Sequence, residues 1–152
     1  KNEKVVTEAE VKAKLRENVR FFPITLTDLG KKMAGEPFDV VVCRYGLSSL
    51  PYTTARDVVR QLMRRLKIGG RIYISLLGLH SELCSHYPGA EVLVGNRYFE
   101  LSPKIREKYD IQGKICLYSE RDLLMLILES GCSPLRTFST THGNVKGVAV
   151  RV

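Results

Sequence analysis

No stretch of this 152-residue chain approaches the ~20 consecutive apolar residues that a membrane-spanning helix needs, so no membrane span is expected. The amino end has no basic-then-apolar leader and opens on the polar run Lys1-Asn2-Glu3-Lys4, so no secretory signal is read there. There is no CxxC pair: Cys43, Cys84, Cys116 and Cys132 lie far apart. Cys43 and Cys116 sit in apolar, strand-like contexts, where cysteine acts as a small hydrophobe. Reduced thiols in a cytoplasmic protein are therefore expected rather than a disulfide framework. Glycine is absent from Lys1 to Asn18. Acid is scarce beside base, with 16 Asp and Glu against 24 Lys and Arg, a net charge of +8 and a pI near 9.5. Such a balance draws phosphate-bearing partners. The basic residues are spread along the chain and not gathered in a tail, which favours a solvated basic surface over a nucleic-acid interface.

What is present suffices for one domain, since 44% of the residues are hydrophobic and the length allows a proper core. Thr7-Glu8-Ala9-Glu10 forms a capping-box pattern, and Val11 and Leu15 follow on one face, which predicts a helix over 7–18. Arg20 to Thr25 is an apolar, strand-like run in which Pro23 points to an edge or distorted strand. Gly30 to Pro37 reads as a short helix and a loop. Phe38 to Cys43 is nearly continuous in apolar residues, the pattern of a strand covered on both faces.

Thr53 or Thr54 is placed to cap a helix running to about Leu66. Val58, Val59, Leu62, Met63 and Leu66 form its apolar stripe, and Arg56, Arg60 and Arg64 lie opposite. Gly69-Gly70 is expected to end it and to launch a second buried strand, Arg71 to Leu77. Gly78 to Leu117 is irregular. Ser119 then caps a helix, with Asp122 as its box partner and Gly131 as its stop. Pro134 to Thr140 and Gly147 to Val152 read as strands joined by a His142-Gly143-Asn144 turn. The pattern is α/β, with no internal repeat.

Four of these pieces, in order, carry a family resemblance. VRFFPITLTDL, FDVVVCRYGLSSLP, LMRRLKIGGRIYIS and YSERDLLMLILESGC, followed by the closing pair of strands, resemble the class I S-adenosylmethionine (SAM) methyltransferases. The resemblance implies a Rossmann-like sheet, amino-terminally truncated, with a carboxyl-terminal antiparallel hairpin. It implies one partial domain over 1–152, in which 78–117 is an insertion acting as an acceptor-side lid. It also implies SAM as cofactor and methyl transfer to a small-molecule acceptor rather than to nucleic acid. Thr25, Leu26 and Asp28 fall on the cofactor side. Thr25 stands where the family carries an acid for the adenine amino group, and Asp28 either substitutes for that acid or caps the next short helix. Arg44, Tyr45 and Gly46, at the end of the FDVVVC strand, fall beside the methionine moiety and the acceptor, where open α/β sheets bind their ligands.

The chain departs from the family upstream. The glycine-rich cofactor loop and the strand ending in a ribose-binding acid have no counterpart in Lys1 to Asn18. The strand at Arg20 to Thr25 then lacks its usual neighbour, and Phe38 to Cys43 has a bare edge. Either Arg20 to Thr25 moves beside it or a second copy of the chain covers it as a homodimer. A non-catalytic, methyltransferase-like module acting through protein contacts is the alternative to an enzyme.

Of the remaining clusters, His80, Cys84 and His86 match no closed zinc spacing, and no metal is expected. His80, just past the RIYIS strand, is placed to act as general base toward an acceptor. Tyr87, Tyr98, Phe99 and Tyr109 either line an acceptor pocket or form a small core of the insertion.

Overall fold

The computed structural model describes residues 13–14, 19, 22–29 and 35–152. Its frame is a four-stranded sheet ordered β1 (Phe38–Arg44), β2 (Leu66–Leu76), β6 (Val145–Val150) and β5 (Ser133–Ser139). β1 and β2 run parallel, and the last two strands join β2 as an antiparallel hairpin. The parallel pair requires a crossover, supplied by helix α1 (Tyr52–Arg64). Helix α3 (Glu120–Glu129) leads into β5. Between β2 and α3 lie a two-stranded ribbon, β3 (Phe99–Glu100) with β4 (Lys114–Ile115), and helix α2 (Pro103–Tyr109).

The core lies between one sheet face and α1 with α3. Val58, Val59 and Met63 of α1 and Leu123, Leu126 and Ile127 of α3 pack over Ile72, Ile74, Leu76, Val145 and Ala149. Each of the larger of these side chains contributes about 1.5–3 kcal/mol when fully buried. Gly147 lets α3 approach closely, because a Cβ there would lie 3.1 Å from both Leu123 and Ile127. α3 starts on the expected capping box: the Ser119 amide donates to Asp122 Oδ2 at 2.8 Å and the Asp122 amide to Ser119 Oγ at 3.1 Å. The segment over 78–117 has its own core of Leu83, Tyr87, Leu101, Ile105, Ile115 and Leu117, with Phe99 packed against it.

Several expectations are corrected. Among the described residues only one face of β1 is covered: Cys43 is buried, while Val40 and Val42 are 52% and 65% exposed on the other side. Continuous hydrophobicity signalled a two-sided strand, but the helices supply a single layer. β1 pairs with β2 alone, and Phe22 to Thr25 form no strand beside it; Arg20 and Phe21 lie outside the described residues. Pro23 removes one donor from that run, and its Phe22 is 49% exposed.

Helix α1 begins at Tyr52 with Pro51 as its cap rather than Thr53 or Thr54, and it ends at Arg64. Leu66 already belongs to β2, paired with Phe38, and the glycine pair lies inside this strand at a register shift. There Gly69 takes a φ of +80°, its amide donates to Arg151 O, and a Cβ on Gly70 would crowd Lys67 O at 2.8 Å. The expected helix over 7–18 and the turn-rich start over 30–34 fall mostly outside the described residues. Among the described residues no helix is long and apolar enough to cross a membrane.

Candidate functional site

β1 delivers Arg44 and then Tyr45 to the carboxyl end of the sheet. The Tyr45 amide continues the ladder by donating to Ser75 O at 2.7 Å. The residue itself is left-handed, with φ 58° and ψ −20°, a conformation uncommon for a tyrosine and worth a kcal/mol or more of strain. That kink turns the chain into a 3-10 turn, Gly46–Ser49. Buried Ser48 anchors the turn by accepting from the Leu77 amide at 3.0 Å, so the ends of β1 and β2 are tied together. The Arg44 guanidinium lies 5.7 Å from the Tyr45 ring centroid, in cation–π range. Leu26, in the 3-10 turn Leu26–Asp28, fills the space a side chain at Gly46 would occupy: a Cβ there would sit 2.9 Å from Leu26 Cδ1. Thr25 precedes this turn, exposed, with its hydroxyl 3.1 Å from that of Thr27.

β2 ends at Leu76, and the next residues lock onto the β5–β6 turn. The Gly78 amide donates to Asn144 Oδ1 at 3.1 Å. A Cβ on Gly78 would collide with Gly143 O, and one on Gly143 with His80 O. Only glycine permits this double approach, and at Gly143 φ is also +78°. Ser81 then caps a short turn, Glu82–Cys84, by accepting from the Leu83 amide at 3.3 Å. Glu82 is paired with Lys108 Nζ at 2.5 Å and accepts from the Tyr109 hydroxyl at 2.5 Å. The hydrogen bond from Lys108, then that from Tyr109, hold the Glu82 carboxyl below the usual carboxylate range.

These loops enclose a cleft of about 660 Å³, lined by Tyr45, Leu77, His80, Ser81, Glu82, Leu83, Tyr109, Ile111, Thr141, His142 and Asn144. Tyr45 and His80 are thus brought into one cavity, flanked in sequence by Arg44 and Gly46. Leu26 packs against Gly46 beside the cleft, but neither it nor Thr25 nor Asp28 lines the cleft.

His142, Asn144 and Ile111 escaped sequence reasoning as lining residues, whereas Tyr109 was one of the aromatics read as pocket or core. The His142-Gly143-Asn144 signal was legible as a turn, but its seat on the β2 end depends on a glycine-to-glycine contact across the fold. Tyr87 and Phe99 belong to the core of the 78–117 segment, and Tyr109 alone of the four aromatics lines the cleft. The arginine stripe is partly engaged with α3: Arg60 donates to Glu129 O at 2.7 Å, and Arg56 lies 3.7 Å from the Glu129 carboxylate. Among the described residues no group of three or more His, Cys, Asp or Glu is placed to share a metal. All four cysteines are free thiols. Burial pushes Cys116 and Cys132 up to about 11.

The position of this cleft, past the carboxyl ends of two parallel strands, is where α/β nucleotide-type folds hold ligands. In sequence, residues 2–95 match the profile of the CheR methyltransferase, SAM binding domain, which is more than half of the chain. The chain belongs to the CheR methyltransferase family. The match takes in β1, α1, β2 and the first loop of the cleft. No curated protein matches the chain in sequence.

Solved methyltransferases share the fold. An O-methyltransferase family protein from Burkholderia thailandensis aligns over 94% of this chain and 39% of its own, with a TM-score of 0.62 at 16% identity. From the same organism, 1,6-didemethyltoxoflavin-N1-methyltransferase with bound 1,6-didemethyltoxoflavin and S-adenosylhomocysteine aligns over 97% and 59%, with a TM-score of 0.61 at 15% identity. An O-methyltransferase family 2 protein from Planctomyces limnophilus in complex with apigenin aligns over 81% and 33%, at 0.54 and 14%. The chain spans less than two thirds of each of these proteins.

SAM is the family's cofactor, and the residues present fit one flank of it. At the β1 terminus, Tyr45 offers a ring and Gly46 a backbone free of a side chain, with Leu26 as an apolar wall. Among the described residues, the fit to the group is seen on this side.

Proposed function

We propose that this chain forms the acceptor side of a SAM-dependent methyl transfer to a small molecule. The observation that carries this reading is the cleft at the ends of β1 and β2, whose size falls in the ~300–1,000 Å³ range of small-ligand sites. SAM, when bound, supplies an electrophilic methyl group. The chain's own residues bind the acceptor, align it, and take up its proton at His80, in a reaction that depends on proximity. Tyr45 and Gly46, with Arg44, Thr25, Leu26 and Asp28 around them, border the cofactor. The loop over 78–117 covers the acceptor. The apigenin and toxoflavin-precursor complexes among structural relatives support a small acceptor. Nucleic acid is disfavoured, because Arg56 and Arg60 of the α1 stripe engage Glu129. A cytoplasmic location accompanies this reading.

A second reading has a specific observation behind it. β1 has no strand on its outer side among the described residues, which suits a non-catalytic module that pairs with a second copy through this edge. Titration of the isotopically labelled chain with S-adenosylhomocysteine separates the two. The enzyme reading expects amide shifts at Leu26, Tyr45 and Gly46. Saturating ligand that leaves those signals in place sinks it and leaves the protein-contact module.

A further inference from the structure

A second recess lies at the end of the sheet away from the cleft. β6 runs from Val145, paired with Leu76 beside the cleft, to Val150, paired with Arg71 at the far end. There the carboxyl ends of α1 and α3 and the residues after β6 enclose about 390 Å³. Arg60, Arg64 and Arg151 line it, together with Met63, Glu129 and Gly131. Backbone carbonyls hold two of these guanidiniums in place. Arg60 donates through Nε and Nη2 to Glu129 O, at 3.1 and 2.7 Å. Arg151 donates through Nη1 to Arg64 O at 3.0 Å and to Leu66 O. Its backbone is fixed as well, since its amide donates to Gly70 O and its carbonyl accepts from the Gly69 amide. Arg151 Nε and Nη2, and the whole Arg64 guanidinium, have no hydrogen-bond or ion-pair partner among the described residues.

The nearby acids are committed elsewhere. Glu129 accepts from the Tyr52 hydroxyl at 3.1 Å and lies 3.7 Å from Arg56. Asp57 lies 3.6 Å from Arg56 and 3.4 Å from Arg60. The carbonyl end of α1, worth about half a negative charge, offsets a fraction of the charge on Arg64 and Arg151. The recess therefore keeps a positive field and unpaired donors in the same place.

We infer that this recess binds a small phosphate monoester, with Arg64 and Arg151 on its phosphoryl oxygens and Arg60 adding to the positive field. The ligand class follows from the donors. Two planar forks present N–H groups that the oxygens of one phosphoryl group can accept together. The carrier of the phosphate is small, since the volume lies near the floor of the ~300–1,000 Å³ range of ligand sites. Met63 supplies an apolar surface for that carrier. This site is separate from the cleft at the ends of β1 and β2 and does not depend on methyl transfer there.

The test uses the full, isotopically labelled chain with glycerol phosphate as probe and glycerol as its uncharged control. Low ionic strength keeps exposed charges least screened. Glycerol phosphate is expected to displace the amide signals of Arg64, Gly131 and Arg151, and glycerol to leave them in place. R64Q is expected to weaken binding roughly tenfold or more, as the loss of charge-assisted hydrogen bonds does. Arg64 is exposed and its side chain has no internal bond to lose, so the denaturation midpoint of R64Q is expected to be unchanged. R121Q removes another exposed arginine, at the opposite end of α3 from the recess. It is expected to bind the probe like the unaltered chain. Equal weakening by R64Q and R121Q would reduce the effect to net charge and overturn the inference. So would unmoved signals at millimolar glycerol phosphate, or shifts of the same size with glycerol.

Discussion

Arg97 is the residue that ties the segment over 78–117 to α3. It is buried, which is rare for arginine, and two of its guanidinium nitrogens are each doubly engaged. Nε donates to Gly89 O at 3.1 Å and Val92 O at 2.9 Å, and Nη1 to Leu117 O at 2.9 Å and Asp122 Oδ2 at 2.7 Å. Asp122 is also the box residue of α3, so one carboxylate caps a helix and neutralises a buried cation. Removing one partner of such a pair leaves an uncompensated charge, at a cost of about 3–5 kcal/mol. Arg97→Met is therefore expected to lower the unfolding free energy by about that amount in a denaturant titration. Arg97→Lys is expected to recover little, because a single ammonium cannot reproduce the planar fork. Nothing in the sequence around Arg97 announced this role. Asp122 was legible as a cap because its partner, Ser119, is three residues away, whereas its second partner lies 25 residues back.

Among the elements, those set by neighbours a few residues apart were readable, and those set by distant backbone were not. α3 has its local box, α1 its apolar stripe, and β5 and β6 their turn. The glycine pair in β2 looked like a helix stop because glycine after an apolar helix usually is one. Its geometry is set instead by Asp39 O and the Arg151 backbone. Gly78 is the same case at the candidate site, since it is needed only because the other loop is there, while Gly143 adds a left-handed φ of +78° to the same close approach. Gly78→Ala would drive a methyl group into Gly143 O. Overpacking of this kind costs about 1–3 kcal/mol and is relieved by moving a loop. Gly78→Ala is thus expected to lower the thermal midpoint, with the amide signals of Thr141 to Asn144 displaced. Gly95→Ala, where a Cβ meets nothing within 4 Å, is the matched control and should leave both unchanged.

For the molecule as a whole, the sheet is built to have something on its second face. Val40 and Val42 of β1 and Tyr73 of β2 form an exposed apolar strip, with Val42 directly paired to Tyr73. β1 also leaves its outer backbone groups without a strand among the described residues. A bare edge beside a bare apolar face is a template for association. Arg71 pairs with Val40, and Arg136, opposite Val148, sits 4.9 Å from the Phe138 ring, so the strip has a cationic border. That border limits stacking of copies without blocking edge pairing. The bare edge was legible from the family resemblance, but the open face was not, because an uninterrupted run of valines gives no sign of which alternate residues will be covered. Sedimentation of the isolated chain is expected to show reversible self-association that grows with concentration. Val42→Lys places a charge on the open face beside the edge, the device natural sheets use against such pairing. It removes no buried contact, since Val42 is 65% exposed. The variant is expected to sediment as a monomer with an unchanged denaturation midpoint. Undiminished self-association in Val42→Lys would place the contact between copies elsewhere and leave the edge of β1 for a different strand.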